Sequence, residues 1–186
     1  MSKAVLISIR PKWCEKIVNG EKTVEVRKTR PKMETPFRCY IYCTLPKYPH
    51  EDFIATDYPK PQFYGGGKVV GEFTCDRIYE LETRSPGGSY YVKGEGQPTT
   101  NDVARHSRLT LWDMHEYLQA GKGYGWHISK LEIYDTPKEL SEFRRVCPND
   151  LYCESCAMYR ENKGTCGNKS LRFKRPPLSW CYVEEM

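Results

Sequence analysis

The chain of 186 residues and 21.7 kDa has room for a single domain of ordinary size, 1–186, and excludes a pair of large ones. Hydrophobic residues at 39% against 28% charged and 13% aromatic exclude a disordered chain, and no apolar stretch has the length of a membrane span or the layout of a signal peptide; a cytoplasmic protein with no membrane partner is expected. The formal charge of +5 is uneven: residues 1–40 hold ten basic groups against four acidic ones, so the whole positive excess lies in the first fifth of the chain and points to an anionic partner.

Ala4–Ile9 is a short, largely β-branched apolar run, which predicts a strand buried on both faces. Pro11 opens a helix whose Trp13, Cys14, Ile17 and Val18 make one apolar face, and Asn19-Gly20 supplies its stop. Thr23–Arg27 alternates, so Val24 and Val26 face one way while Thr23, Glu25 and Arg27 face the other. Phe37–Cys43 predicts another strand. Residues 44–67, rich in proline and tyrosine and ending in Gly65-Gly66-Gly67, keep no period and read as a long surface loop. Lys68–Cys75 returns to strand alternation. Residues 83–107 form a second loop, with Tyr90-Tyr91-Val92 a short hairpin arm.

Thr110 is an N-cap whose capping box is closed by Asp113, with Leu109 placed to staple onto Met114; its helix stops at Gly121. Tyr124–Tyr134 predicts a strand bulged near Ser129. Thr136, with Pro137 and Glu139 at the first and third helical positions, predicts one more helix whose Leu140 and Phe143 face the core. Trp180–Glu184 is the last strand. Strands outnumber helices, and the expected class is α+β: a mostly antiparallel β-barrel with short helices plugging its ends.

Gly20-Glu21-Lys22-Thr23-Val24-Glu25-Val26-Arg27 has the form G-x-K-x-x-E-x-R, set between a short helix and a strand. With Leu6–Val18, Val69, Gly71-Glu72-Phe73, Thr110–Leu118, Gly125-Trp126-His127-Ile128 and the closing strand, it resembles the ASCH domain family. The nearest likeness is to small stand-alone phage and bacterial proteins whose last strand reads like Ser179-Trp180-Cys181-Tyr182-Val183. The resemblance implies a PUA-like barrel with a cleft between the motif and the strand around Trp126, in a fold whose relatives bind RNA or modified nucleobases.

The chemistry of the residues fits that implication. A Lys just past a helix and an Arg on the next strand hold a phosphate or a base carbonyl, one as a point charge and the other as a planar fork. Glu25 orients that guanidinium or accepts hydrogen bonds from the amino edge of a base. Trp126, Tyr124 or Trp13 offers a stacking face, although Trp13 shares the helix's apolar side with Ile17 and suits the core better. His127 alternates with Trp126, so it faces the cleft if the Trp is core. The candidate binding residues are Arg10, Lys12, Lys22, Glu25, Arg27, Trp126 and His127. A plain surface pair between Glu25 and Arg27, contributing about 0–1 kcal/mol, is the alternative without function.

One branch of the resembling family removes the acyl group from N4-acetylcytidine with a Lys, a Thr three residues later and a Glu near the helix that Thr110 starts. Lys22 matches the first. Glu25 stands where the Thr is expected, and the Glu position falls at or near Ser107, between His106 and Arg108. Lys22 and Glu25 remain candidate catalytic groups if burial pulls the ammonium toward neutrality, and other relatives are described as ribonucleases. Three readings therefore stand: a module binding RNA or a nucleotide; a hydrolase acting on a modified nucleoside or a ribonuclease; and a phage-type adaptor or inhibitor gripping a protein through loops 44–67 and 83–107.

Nine cysteines are many for a reducing compartment, where structural disulfides are rare. Cys147, Cys153, Cys156 and Cys166 fall as C-x5-C-x2-C-x9-C in a segment with little apolar content. This predicts a zinc-stabilised insertion over 146–170, with zinc structural and no organic cofactor. An iron-sulfur cluster or free thiols are the alternatives, and Cys181 is an alternative fourth ligand. The other cysteines lie in strand or helix patterns and read as small buried hydrophobes.

Overall fold

The computed structural model describes residues 2–48, 53–57, 60–83, 85, 88–119, 121–148, 150–162 and 166–186. In chain order the elements are β1 (Lys3–Ile9), α1 (Pro11–Val18), β2 (Val24–Arg27), β3 (Phe37–Cys43), β4 (Phe53–Ile54), β5 (Phe63–Tyr64), β6 (Lys68–Thr83), β7 (Tyr90–Val92), α2 (Thr100–Ser107), α3 (Leu111–Leu118), β8 (Gly123–Glu139), α4 (Ala157–Glu161) and β9 (Trp180–Glu184). Short 3-10 turns occupy Leu140–Glu142, Asp150–Ser155 and Lys169–Leu171. Among the described residues no helix is long and apolar enough to cross a membrane.

Seven strands form one mixed sheet in the order β2-β8-β6-β3-β1-β9, with β7 added to β6; β4 and β5 make a separate hairpin. Every neighbouring pair is antiparallel except β1 with β3. The run Ala4–Ile9 lies between β3 and the edge strand β9, covered on both faces as its composition requires, and its one polar residue, Ser8, is also buried. One apolar cluster packs α1 onto the face carrying Ile7, Phe73 and Trp126. A second joins Val24 and Val26 to Met114 and Leu118 of α3.

The sheet is open, not the closed barrel the sequence suggests. Its edge strands β2 and β9 exchange no backbone ladder in the strand order. Side chains bridge the gap instead. Trp180 Nε1 donates to Thr29 Oγ1 at 3.0 Å, and the Lys32 amide donates to the Tyr182 hydroxyl at 2.7 Å.

Other departures have local causes. No helix starts at Thr136; β8 continues to Glu139 because Lys138 pairs with Val69 and Glu139 with Lys68, backed by a 2.8 Å Lys68–Glu139 ion pair. Pro137 is tolerated because it falls between Ile133 and Lys138, where the register slips. Leu140 and Phe143 reach the core as expected. Residues 44–67 hold β4 and β5, with Ile54 and Phe63 buried. The second loop contains α2, whose capping box joins Thr99 and Asp102. The Thr110–Asp113 box forms as predicted, but α3 ends at Leu118, with Gln119 rather than Gly121 taking the left-handed cap. The bulge near Ser129 is present, and Lys130 there has φ 46°.

Candidate functional site

The motif is built by a helix stop followed by an edge strand. After α1, Gly20 adopts φ +75°, and the amides of Glu21 and Lys22 both donate to the Lys16 carbonyl, at 2.9 and 3.0 Å. That turn folds Lys22 back beneath α1. Along β2, Val24 and Val26 point into the cluster beside α3, so Glu25 and Arg27 take the opposite face.

Lys22, Glu25 and Arg27 converge. Lys22 Nζ stands 3.1 Å from Glu25 Oε2, and Arg27 Nε stands 2.9 Å from Glu25 Oε1. The residues are 2%, 7% and 8% exposed. Lys22 Nζ also donates to the Ser107 carbonyl at 2.7 Å, and Arg27 Nη2 donates to the Ser8 carbonyl at 2.6 Å. Arg27 Nη1 reaches Ser179 Oγ at only 3.4 Å. Its Nε–H is not aligned on Glu25 and finds no other acceptor among the described residues. Burial lowers the Lys22 pKa below the ordinary lysine value, with Glu25 opposing that fall.

These three residues line a cavity of about 400 Å³ with Ser8, Arg10, Trp13, Tyr117, Leu178 and Ser179. It lies in the split between β2 and the β1–β9 edge. Lys12 Nζ and Lys22 Nζ sit 4.6 and 5.2 Å from the Trp13 ring centroid, and Trp13 is half-buried. Arg10 and Thr44 also border a second groove of about 730 Å³, shared with Lys12, Glu15, Lys47 and Phe53. A more apolar cavity of about 680 Å³, lined by Tyr90, Leu111, Trp112 and Met114, involves none of the motif residues.

Three sequence candidates do not line this cleft: Lys12 borders the second groove, and Trp126 and His127 lie elsewhere. Trp126 is fully buried, edge-on to Phe37 at 5.8 Å and tilted against Trp180 at 5.9 Å, so it is a core residue rather than a stacking platform. His127 does not face the cleft: its Nδ1 lies 2.6 Å from Asp76 Oδ1. The register gives the reason. Glu25 pairs opposite Trp126 and Val24 opposite His127, and cross-strand partners share a face, so the face bearing Glu25 carries the Trp. Around Asp76, burial raises the carboxyl pKa, but the hydrogen bond and charge of His127 outweigh it and the net shift is downward.

Ser8 and Ser179 also line the cleft; for Ser8 the signal in the sequence is a lone serine in an otherwise apolar buried strand. Ser107, near which the amidohydrolase branch would have a Glu, does lie against Lys22, but through its carbonyl; its hydroxyl donates to the Ala104 carbonyl at 3.0 Å. Cys147, Cys153, Cys156 and Cys166 are free thiols. Among the described residues no three His, Cys, Asp or Glu side chains are gathered as a metal site.

No protein-family model matches the chain and no curated protein matches its sequence. Solved structures do resemble it. ASCH from Zymomonas mobilis is similar over 98% of this chain and 88% of that one, with a TM-score of 0.53 at 16% identity. A tyrosine-to-phenylalanine mutant of that ASCH gives 0.54 over 99% and 92%, again at 16% identity. The likeness spans sheet and helices alike: the chain has the fold of an ASCH domain.

Proposed function

We propose that the chain binds RNA or a nucleotide in the cleft floored by Lys22, Glu25 and Arg27. The observation that carries this reading is the convergence of two buried cations on one carboxylate beneath an opening of about 400 Å³. A purely structural ion pair needs no opening, and this triad keeps an excess positive charge and an unaligned guanidinium N–H at its floor. Arg27 presents its fork to a phosphate or base carbonyl, Lys22 adds a point charge, and Glu25 accepts from a base amino group. Arg10 borders the cleft and leads to the groove holding Lys12 and Lys47, which gives a flanking phosphate cationic neighbours. The half-buried Trp13, rather than Trp126, supplies the aromatic face.

A second reading is favoured by one observation. Lys22 is biased toward its neutral form by burial while lying 3.1 Å from a carboxylate, the arrangement that acid–base chemistry on a modified nucleoside or on RNA requires. The absence of a carboxylate or free hydroxyl at Ser107 weighs against an amidohydrolase of the N4-acetylcytidine type.

Fluorescence anisotropy with labelled single-stranded RNA, repeated over a range of salt, tests the binding. Arg10→Glu lies on an exposed residue and should weaken binding across sequences and flatten the salt dependence. Affinity unchanged in both Arg10→Glu and Arg27→Glu would refute the cleft as the site and turn attention to a protein partner on loops 44–67 and 83–107. Turnover of an acylated nucleoside or of RNA, abolished by Lys22→Ala, would replace binding with catalysis.

A further inference from the structure

The described residues of segment 146–170 take up regular structure without a core. None of its described residues is buried, yet it forms the 3-10 turn Asp150–Ser155 and helix α4 before returning to the sheet. Ordering a stretch of that length costs conformational entropy that apolar burial normally offsets, and no such burial is present among its described residues.

Its backbone contacts hold Cys166 at the neck and turn Cys156 back onto Cys153. At the neck, Arg144 bridges Arg172, and the Arg145 amide donates to the Leu171 carbonyl at 2.8 Å. The Arg144 guanidinium donates to the carbonyls of Cys166 and Asn168, at 2.7 and 3.2 Å. The Cys166 carbonyl is thereby held by Arg144, three residues before Cys147 in the chain. At the far side the Cys156 amide donates to the Cys153 carbonyl at 3.0 Å, and the amides of Tyr159 and Arg160 turn back onto the Cys156 carbonyl. That is the tight turn by which a C-x-x-C pair presents two sulfurs to one point.

We infer that Cys147, Cys153, Cys156 and Cys166 together bind one zinc ion that clips this segment to the sheet. Four thiolates form a soft, tetrahedral donor set, and four Zn–S bonds form as four thiol protons pass to solvent. The described thiols are not yet at coordinating positions, so the ion draws them the remaining distance as it binds. Four thiolates around a dication leave a net negative charge, and Arg144, Arg145, Arg160, Lys169 and Arg172 surround it in the sequence. Cys181 is held elsewhere, in β9 opposite Leu6, and leaves the fourth position to Cys147. The clip also secures the cover over the β9 edge, where Arg145 bridges Val183 and the Glu184 amide donates to the Arg144 carbonyl at 3.0 Å.

Elemental analysis of the full chain, purified without chelator or histidine tag, should find about one zinc per chain. Protein stripped by chelator and titrated with Co²⁺ should show thiolate charge-transfer and tetrahedral ligand-field bands. Stripping should also open protease cleavage between 147 and 166 while the sheet resists. Cys153→Ser with Cys156→Ser should lose the bound metal. Should that variant not fold, the cobalt spectrum of the stripped natural chain decides. A metal-free protein with no cobalt spectrum overturns the inference, iron with acid-labile sulfide overturns zinc, and full zinc in the double variant overturns the ligand set.

Discussion

Glu25→Gln removes the one negative charge at the floor of the cleft while keeping the side-chain volume. Glu25 is 7% exposed and pairs with two cations at 3.1 and 2.9 Å, so the variant leaves both without an anionic partner in a site shielded from water. Removing one partner of a buried ion pair costs about 3–5 kcal/mol. Here the lower end applies, about 3 kcal/mol, because Lys22 keeps the Ser107 carbonyl and Arg27 the Ser8 carbonyl. For a chain of this length that corresponds to roughly 6–12 °C in melting temperature. Urea unfolding should show a lower midpoint with an unchanged slope. Nucleotide or inorganic phosphate should then stabilise the variant more than the natural chain, since the anion replaces the missing charge. A loss below about 1 kcal/mol would mean that the triad is solvated like a surface pair, and equal stabilisation by phosphate in both proteins would place the anion elsewhere.

The two tryptophans should separate by assay. Trp126→Ala should cost about 3–5 kcal/mol of stability with RNA affinity unchanged in the folded fraction, whereas Trp13→Ala should leave the fold largely intact and lose about 1–3 kcal/mol of binding by anisotropy. Thr99→Ala and Thr110→Ala should each destabilise by about 1 kcal/mol in urea melts, through lost caps on α2 and α3. Asp102 and Asp113 are held below the ordinary carboxylate pKa, chiefly by hydrogen bonds from those threonines. Their support is therefore complete above the unfolded value and fades as pH falls through the depressed one. For Lys22 the sign reverses: its pKa is lowered by burial from 10.5, so the folded state binds fewer protons than the unfolded one just below that value. The stability of the natural chain relative to Lys22→Met should rise with pH toward 10.5; a flat difference would mean that Lys22 is not desolvated.

Where local chemistry decides the structure, the residues were legible. The β-branched run gives β1, Pro11 and Asn19-Gly20 bracket α1, and the alternation of β2 sets Glu25 and Arg27 on one face. Where pairing decides, they were not. Thr136-Pro137 carries a helix start as clear as that of Thr110, but a helix there would give up the Lys138–Val69 and Glu139–Lys68 pairs, and the ladder prevails. The Thr99–Asp102 box opening α2 was hidden by its polar surroundings. That His127 turns away from the cleft follows from register, which fixes who shares a face with Glu25 and cannot be read from alternation within β8.

The open sheet and the candidate site have one origin. β2 and β9 share no ladder, and Arg27 donates to the Ser8 carbonyl at 2.6 Å across the gap. The guanidinium thus acts as part of the seam while keeping donors directed elsewhere, weakly satisfied at Ser179 Oγ and unaligned at Nε. An anion bound as proposed would need to displace only the 3.4 Å contact and not the 2.6 Å one. Lys22 is tied in the same way to the Ser107 carbonyl at the end of α2. The cations are positioned by backbone acceptors and balanced by a single carboxylate, which keeps them fixed in place without neutralising them fully.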